Sequence, residues 1–379
     1  MSENKSDAAR NNYIDLLRFL FCMIIFIHHS GHVTRGSVTL LPSGGLVADA
    51  FFMLSGYYAV KHLSRVFANK DESAGSEYVK LMGHPMGYSI RYTLNKLLKA
   101  LPYVAFGTVI IYILELVIML LTGTPITLVD ITTKIRDMII ELTYLPLTGI
   151  MGPIDPMNYR NTPMWFLSAM LIALPLIMYL AIKCKDAFKN YIIWFIPPML
   201  QGWMVVKFGG VLPWQNFVGP VNSGVIRGFS SLLMGAGIYY ASKALQKNKS
   251  AFTKPVIATI IELLVFVLFI INVIRGVSGY EELFSLYLVA ITLAYALSGI
   301  TYTARISWTP LEFLGRISLP VYCLHWGIYR WVAAAFGEKI DYLSAIAITF
   351  ILCLVSSIVI MYVVKIIDSK RCGIKEKIL

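Results

Sequence analysis

The sequence predicts an all-α polytopic membrane protein, with about ten transmembrane helices in one bundle. Three observations lead to this fold class. Of the 379 residues, 57% are hydrophobic and only 14% are charged, whereas soluble domains carry about a quarter charged residues. The apolar residues fall into runs near the roughly 20 residues that cross a bilayer core. The basic residues are also unevenly divided between the two predicted sides of the membrane.

The apolar runs predict ten spanning helices, each close to the length that crosses about 30 Å of hydrocarbon. Their approximate ranges are 13–30, 45–66, 99–121, 164–182, 191–208, 228–245, 255–275, 283–302, 316–337 and 343–366. Two long loops separate the early helices. The loop at 67–98 is basic and predicted to be cytoplasmic. The loop at 122–163 is predicted to be external, and its amphipathic stretch 135–145 predicts a short interfacial helix.

The net charge of +12 follows the positive-inside rule. With the N-terminus in the cytoplasm, 24 of the 33 Lys and Arg residues fall on the cytoplasmic side and 9 on the other. The nine are Arg35, Lys134, Arg136, Arg160, Lys207, Arg227, Arg275, Arg330 and Lys339. This distribution argues against a nucleic-acid partner and favours contact with membrane lipids.

An even number of spans places both tails in the cytoplasm, the short 1–12 segment and the basic 367–379 segment. We therefore expect a multi-pass protein integral to the cytoplasmic (inner) membrane. Residues 1–379 are expected to form a single integral-membrane domain with no appended soluble domain.

The first predicted helix carries several ionisable residues, which are costly in a bilayer and are often functional. Asp15 and Arg18 are three residues apart, so they are expected to form an ion pair that holds this helix against its neighbours. His29 lies on the face of Arg18, about 16 Å further along the helix axis. His28 points elsewhere, and the role of His32 stays open.

Histidine exchanges protons near neutral pH, so a proton-transfer role is favoured for His29. A metal site would need further His, Asp or Glu partners, and Asp49 is the only nearby external carboxylate in the sequence. Proton transfer is therefore favoured over a metal role, and no metal site is expected. The other interpretation is an interfacial histidine without chemistry.

The ninth predicted helix carries a polar stripe at helical spacing. Gly315, Ser318, Tyr322, His325 and Tyr329 recur at intervals of three and four residues. A polar stripe facing lipid would be unstable, so this face is expected to line the interior of the bundle. It predicts either hydrogen bonding between helices or one wall of an active site.

Other polar positions give weaker signals. Asp49 stands near the first turn of the second helix, and Ser55 allows close helix approach. Arg91, Lys96 and Lys99 precede Leu101-Pro102 at the predicted membrane entrance. They predict either a phosphate site or ordinary cytoplasmic anchoring.

Several short motifs in this order resemble the membrane-bound acyltransferase-3 family of O-acyltransferases. They are IDLLRFL…HH (14–29), FFMLSGYY (51–58), KALPY (99–103), MWFLSAMLIALPLI (164–177) and LEFLGRISLPVYCLH (311–325). Each motif is short, but together they span most of the chain. The resemblance implies a ten-helix architecture. Its essential histidine, fourteen residues after the aspartate of the first helix, corresponds to His29, and its arginine in that helix to Arg18.

The resemblance also implies the chemistry. Members transfer an acyl group from cytoplasmic acyl-CoA, most often acetyl-CoA, to a sugar hydroxyl, as in O-acetylation of cell-envelope polysaccharides. The acyl-CoA is a co-substrate and not a tightly bound cofactor. His29 is then expected to be the general base, or to carry the acyl group in a relay. Tyr322 and His325 are expected to line the cavity or to donate to the developing oxyanion.

The basic residues of the family associated with the acyl-CoA side correspond to the region of Arg91, Lys96 and Lys99. Lysine at two of these positions retains charge but weakens bidentate phosphate recognition.

Other family features are matched less closely. Many members carry a carboxylate pair after the tryptophan that corresponds to Trp165, where this chain has MWFLSAML. A role for that carboxylate pair is not carried over to this chain. The sequence predicts only possible cavity residues at four further positions: Trp165, Asp49, Ser55 and Ser318.

Two other classes of function are compatible with intramembrane histidines. One is a proton-coupled transporter, which predicts related halves or broken helices in matching positions. The other is a glycan-lipid assembly protein that binds a lipid-linked carbohydrate without chemistry. Acyl-CoA hydrolysis or transfer by the purified protein would distinguish an enzyme from both.

Overall fold

The computed structural model of the protein describes residues 11–32, 40–73, 75–150, 160–336 and 339–378. In chain order the α-helices are α1 (Asn12–His28), α2 (Val47–Ala68), α3 (Glu77–Gly83), α4 (Pro85–Leu121), α5 (Leu128–Leu142), α6 (Trp165–Lys183), α7 (Lys185–Ala187), α8 (Ile193–Phe208), α9 (Ser223–Lys247), α10 (Pro255–Arg275), α11 (Tyr280–Ser298), α12 (Thr309–Phe336) and α13 (Tyr342–Ile378). A π-helical turn, Phe188–Ile192, links α7 to α8. Two short strands, β1 (Phe217–Val218) and β2 (Val221–Asn222), form an antiparallel hairpin before α9.

Six stretches of the described chain are long and apolar enough to cross a membrane. They are Asn12–Gly31, Pro85–Leu121, Thr162–Lys183, Pro255–Arg275, Tyr280–Ser298 and Tyr342–Ile367. The predicted all-α membrane fold is therefore supported. The count of ten spans and the cytoplasmic placement of both termini stay predictions. Of the remaining long helices, α8 has only 16 residues, and α2, α9 and α12 carry more polar residues.

The fourth helix differs from its predicted bounds. The sequence pattern predicts a helix over 99–121 after a basic loop, but α4 already begins at Pro85. Proline is tolerated in the first helical turn, since its missing N–H has no helical partner there. Ser89, Thr93, Leu97 and Ala100 form a buried face that continues this extension into the bundle. The consequence is that the cationic side chains of this segment stand on a helix and not on a loop.

The stretch predicted as an interfacial helix is also longer than expected. The prediction covered 135–145, whereas α5 spans Leu128–Leu142. Thr127 and Asp130 form a reciprocal capping box at its first turn, which fixes an N-terminus that the amphipathic pattern alone did not locate.

Close packing of α2 against α9 forms part of the core. A Cβ atom at Gly56 would lie 2.0 Å from the carbonyl oxygen of Leu232, and one at Gly235 would lie 2.0 Å from that of Met53. Each glycine therefore lets the backbone of the facing helix approach, as small residues do between membrane helices. The two helices run parallel, because the contacts advance together along both: Asp49 pairs with Arg227, Gly56 faces Leu232, and Tyr57 packs on Tyr239.

The pairing of α1 with α12 positions the site. Asn12 donates to the carbonyl of Trp308, the Cys22 thiol donates to that of Ser318, and His29 contacts His325. These contacts advance along both helices together, so α1 and α12 are parallel. The C-terminal end of α1 thereby reaches the middle of α12.

Candidate active site

Two histidines form the centre of the candidate site. Nδ1 of His29 lies 2.8 Å from Nε2 of His325, and Nδ1 of His325 lies 2.6 Å from the carbonyl oxygen of Tyr322. The two rings are nearly parallel, with an interplanar angle of 4°. His325 is 1% exposed, so this polar pair sits inside the bundle.

For neutral imidazoles, these distances assign the ring protons. A carbonyl oxygen only accepts, so Nδ1 of His325 carries hydrogen and donates to Tyr322. In a neutral imidazole the other nitrogen then accepts, so Nε2 of His325 accepts from Nδ1–H of His29. Nε2 of His29 therefore holds the lone pair. The arrangement gives His29 one directed basic nitrogen.

Local structure holds His29 in place. It is the C-cap of α1 and begins a short 3₁₀ turn that continues to His32. In that turn Ser30 donates to the carbonyl of Ile27 and also contacts the Tyr342 hydroxyl of α13. The indole of Trp326 packs edge-on against the His29 ring, with centroids 5.3 Å apart.

The neighbouring His28 does not share the hydrogen bond of this pair. Nδ1 of His28 lies 2.9 Å from the carbonyl oxygen of Leu41, and its Cβ packs closely over Gly44. His28 thus directs its hydrogen bond elsewhere, although its ring centroid lies 5.3 Å from that of His29. The side chain of His32 lies outside the described part of the protein.

The polar stripe of α12 is buried, as predicted: Gly315, Ser318, Tyr322, His325 and Tyr329 all lie in the interior. The Tyr322 hydroxyl donates to the carbonyl of Pro163 at 2.6 Å. Because this hydroxyl is already engaged, the geometry favours a structural role for it over donation to an oxyanion.

A cavity of about 640 Å³ lies between α2 and α4, towards the end of the bundle where α1 begins. This is the predicted cytoplasmic end. Arg91, Lys96 and Lys99 of α4 all line it, together with Arg18 of α1 and Ser55 of α2. The structure therefore gathers the three predicted cations around one space, and it adds Arg18.

Further lining residues were not predicted from the sequence. The polar ones include His62, Glu77, Tyr88, Tyr92 and Asn95. A usable signal was present, because residues 88, 91, 92, 95, 96 and 99 repeat at intervals of three and four, which is one helical face. That signal was missed because the stretch was interpreted as a loop.

These side chains form a connected rim. The His62 ring stacks on Tyr92 at 4.9 Å, and its Nε2 lies 2.6 Å from the Tyr88 hydroxyl. Tyr88 donates to Glu77 at 2.7 Å.

At the inner side of the cavity, Arg18 lies 3.6 Å from Asp15, so the predicted ion pair is present. A second role for Arg18 follows from its position on the cavity wall.

An aromatic layer lies between the cavity and the histidine pair. Phe51 and Phe166 line the cavity, and both rings pack on Tyr322, with centroids 6.3 and 6.2 Å away. Tyr322 in turn packs against His325 at 5.8 Å. The cavity floor is thus one aromatic layer from the histidines.

Three residues predicted as possible cavity lining lie outside this cavity. Asp49 is fully buried and forms an ion pair with Arg227 of α9, whose Nη2 is 2.5 Å from Oδ2. Trp165 stacks on Trp214, with ring centroids 5.7 Å apart, and lies under the Arg227 guanidinium. Ser318 donates to the carbonyl of Gly315 within its own helix.

Arg227 is a buried residue whose role the sequence analysis missed. Besides Asp49, it donates to the carbonyls of Leu212 and Gly45, and Ser231 donates to Asp49 at 2.7 Å. Arg227 was counted only among the external cations, because it directly precedes the helix predicted at 228–245, and no partner was assigned to it.

A segment at 160–163 is fastened beside the histidine pair. The Arg160 side chain lies 2.8 Å from Glu115, which Lys134 and Arg330 also contact. The Arg160 carbonyl accepts from the indole of Trp326 at 3.0 Å. These contacts tie the chain before α6 to the ring that packs on His29.

A buried carboxylate anchors the same segment from α5. Glu141 accepts from the backbone N–H groups of Arg160 and Asn161 and from the Tyr112 hydroxyl. Burial raises the pKa of the Glu141 carboxyl to about 7, although the three donors and the Arg160 charge act in the opposite direction. The amphipathic helix thus helps to hold the site.

Comparison with known proteins identifies the family. A family model described as an acyltransferase domain, of the acyltransferase-3 type, matches residues 11–363. Searches of curated proteins and of solved structures returned no match. The match covers nearly the whole chain, and it includes the histidine pair and the cationic cavity. The chain therefore belongs to the membrane acyltransferase-3 family.

Proposed function

We propose that the protein is an O-acyltransferase that moves an acyl group, most simply acetyl, from acyl-CoA to a hydroxyl of a carbohydrate acceptor. Family membership supports acyl transfer in general. The observation that carries the finer proposal is the His29–His325 contact, because its hydrogen bonds leave Nε2 of His29 as the basic nitrogen.

His29 is the proposed general base. Its Nε2 takes the proton of the acceptor hydroxyl while the acceptor oxygen attacks the thioester carbonyl. The resulting imidazolium still donates from Nδ1 to His325, and a hydrogen bond to a charged group is stronger than the neutral one it replaces. Collapse of the tetrahedral intermediate breaks the C–S bond, and the CoA thiolate recovers the proton. His325 acts through His29 and is a positioning residue.

An acyl-histidine relay uses the same nitrogen. In that route Nε2 of His29 attacks the thioester itself, CoA leaves, and the acceptor hydroxyl then attacks the acyl-imidazole. This route would leave the protein one acyl group heavier when acyl-CoA is supplied without acceptor, and intact-mass measurement would detect it.

The cationic cavity is the proposed donor site. Arg18, Arg91, Lys96 and Lys99 offer the positive charge that the phosphates of CoA require. The cavity lies towards the predicted cytoplasmic end, where acyl-CoA is available. The long pantetheine arm would pass the layer of Phe51, Phe166 and Tyr322 to bring the thioester to His29.

A matched pair of variants tests the base. An asparagine amide nitrogen occupies the position of histidine Nδ1, so His29→Asn keeps the donor towards His325 but removes Nε2. His28→Asn keeps the corresponding contact to Leu41 and is the control. We expect His29→Asn to lower acyl-dependent release of CoA by a factor of about 10² to 10⁴. The control should retain activity.

The assay uses the purified full chain with acetyl-CoA and follows free thiol. A His29→Asn protein with wild-type kcat would overturn the mechanism. Absence of transfer and hydrolysis from the wild-type protein with every acyl-CoA offered would instead favour the transporter or assembly classes.

A further inference from the structure

A second basic cavity, of about 850 Å³, lies on the opposite side of α2 from the donor cavity. Tyr58 faces the donor cavity and Phe67 faces the second one. They are nine residues apart, which turns an α-helix by about 180°. The two cavities share no lining residue, so the second one is a separate site.

Lysines dominate its polar lining. Five lysines line it, against one carboxylate, that of Asp186. They are Lys70, Lys185, Lys189, Lys243 and Lys247. No ion pair joins any of these five to a carboxylate within the part of the chain that the structure describes. The cavity therefore presents a concentration of uncompensated positive charge, which suits an anionic ligand.

The remaining walls are apolar and aromatic. Val60, Leu63 and Ala181 contribute aliphatic surface. The Lys185 ammonium lies 4.4 Å from the Phe67 ring centroid, and Lys189 lies 5.9 Å from that of Tyr240. A small soluble anion needs no apolar walls. A ligand with a charged head and hydrocarbon chains would contact both the lysines and the apolar walls.

The position of the cavity fits a membrane lipid. It is formed where α2 and α9 end and where α7 follows α6, which is the predicted cytoplasmic end of the bundle. Tyr191, Trp194 and Phe195, close by in the sequence of the connecting turn and α8, expose 63%, 46% and 60% of their surface. Exposed aromatic residues are typical of the headgroup level of a bilayer. Basic pockets between helices on this side bind anionic lipid headgroups.

We propose that this cavity binds an anionic phospholipid of the cytoplasmic leaflet, with its phosphate among the lysines and its chains along the apolar wall. Occupancy would connect the ends of α2, α7 and α9, and α2 also forms the wall of the donor cavity.

Native mass spectrometry of the full chain in neutral detergent tests this proposal, with phosphatidylglycerol and phosphatidylcholine offered separately. The wild-type protein should retain phosphatidylglycerol in preference. The double variant Lys185→Gln/Lys189→Gln should bind it about 25-fold more weakly, because each lysine near a lipid headgroup contributes about a factor of five.

The control variant is Lys183→Gln/Lys249→Gln, which removes two exposed lysines of the same end that do not line the cavity. It should bind phosphatidylglycerol like the wild-type protein. Equal loss in both double variants would overturn the site, since the effect would then be general charge. Displacement of the lipid by an equal concentration of inorganic phosphate would also overturn it, because the ligand would then be a free phosphate.

Discussion

His325 should control the turnover of the enzyme without touching either substrate. Its Nε2 accepts the 2.8 Å hydrogen bond from His29, and its side chain is buried. A hydrogen bond to a charged group is worth about 1.5–3 kcal/mol. If that stabilisation applies to the imidazolium formed in the transition state, its loss should lower kcat roughly 10- to 150-fold.

Two amide substitutions separate the two hydrogen bonds of His325. His325→Asn keeps a donor at the position of Nδ1, towards the Tyr322 carbonyl, but removes the acceptor for His29. His325→Gln places an amide oxygen near the position of Nε2, so it retains an acceptor but loses the donor to Tyr322. We expect the asparagine variant to show the full loss of kcat and the glutamine variant to recover most of it.

The assay is steady-state release of CoA by purified variants that elute like the wild-type protein in gel filtration. KM for acetyl-CoA should stay unchanged in both variants, because His325 lies beyond the aromatic layer from the donor cavity. The reasoning would be refuted by a glutamine variant less active than the asparagine variant. It would equally be refuted by a kcat within twofold of wild type for His325→Asn.

Three other predictions follow from charged groups. The first concerns the donor-site cations, which are removed one at a time in the variants Arg91→Gln, Lys96→Gln and Lys99→Gln. Each variant should raise KM for acetyl-CoA about tenfold with little change in kcat, because it lacks one charge-assisted contact to a phosphate. Asp49→Asn should lower the free energy of unfolding by about 3–5 kcal/mol, because it leaves the buried guanidinium of Arg227 without its counter-charge; thermal unfolding in detergent measures this. Finally, burial raises the pKa of Glu141 from 4.5 to about 7, so the folded state holds a proton that the unfolded state releases. Stability should fall by up to about 3 kcal/mol as pH rises between these values, and Glu141→Gln should remove that slope.

Each of these three predictions has a matched control variant or measurement. Lys80 of α3 is exposed and does not line the cavity, so Lys80→Gln should leave KM unchanged. A similar rise there would show that general charge attracts the substrate. Glu281 pairs with Arg275 on the surface, and its removal should cost less than about 1 kcal/mol. If Asp49→Asn cost no more than that, the buried pair would have no special weight. A pH slope that persists in Glu141→Gln would assign it to another group.

Local sequence patterns predicted the helix bounds well where hydropathy is the only signal that acts. The apolar run between Pro255 and Arg275 predicted the bounds of α10, because proline and glycine limit it on both sides. The start of α4 was wrong because hydropathy reports burial in hydrocarbon and not helix formation in a polar segment. The helical spacing of its aromatic and basic residues carried the missing information.

The site was predictable as separate residues and not as an arrangement. His29 and His325 were each singled out, but they are 296 positions apart, and no local pattern states that they touch. The partner of Asp49 was missed for the same reason, since Arg227 lies 178 positions away. Tertiary contacts of this kind depend on which helices pack together, and amphipathic periodicity gives the face of a helix without its neighbour.

The candidate site has two separate parts, the cationic cavity and the histidine pair. Because they are separated, each one taken alone resembles an incomplete active site. Arg18 and His29 are eleven residues and about 16 Å apart along the first helix. The aromatic layer lies between the cavity that Arg18 lines and the histidine pair. In the proposed mechanism, contacts to the CoA phosphates would be made far from the reacting carbonyl, so they would stabilise the bound substrate and the transition state equally and act on KM. The hydrogen bond of the histidine pair would strengthen only when charge develops on His29, so it would act on kcat. A donor with a long arm between phosphates and thioester is therefore the kind of substrate that requires both parts, and a short acyl phosphate, which cannot reach across the layer, should not replace it.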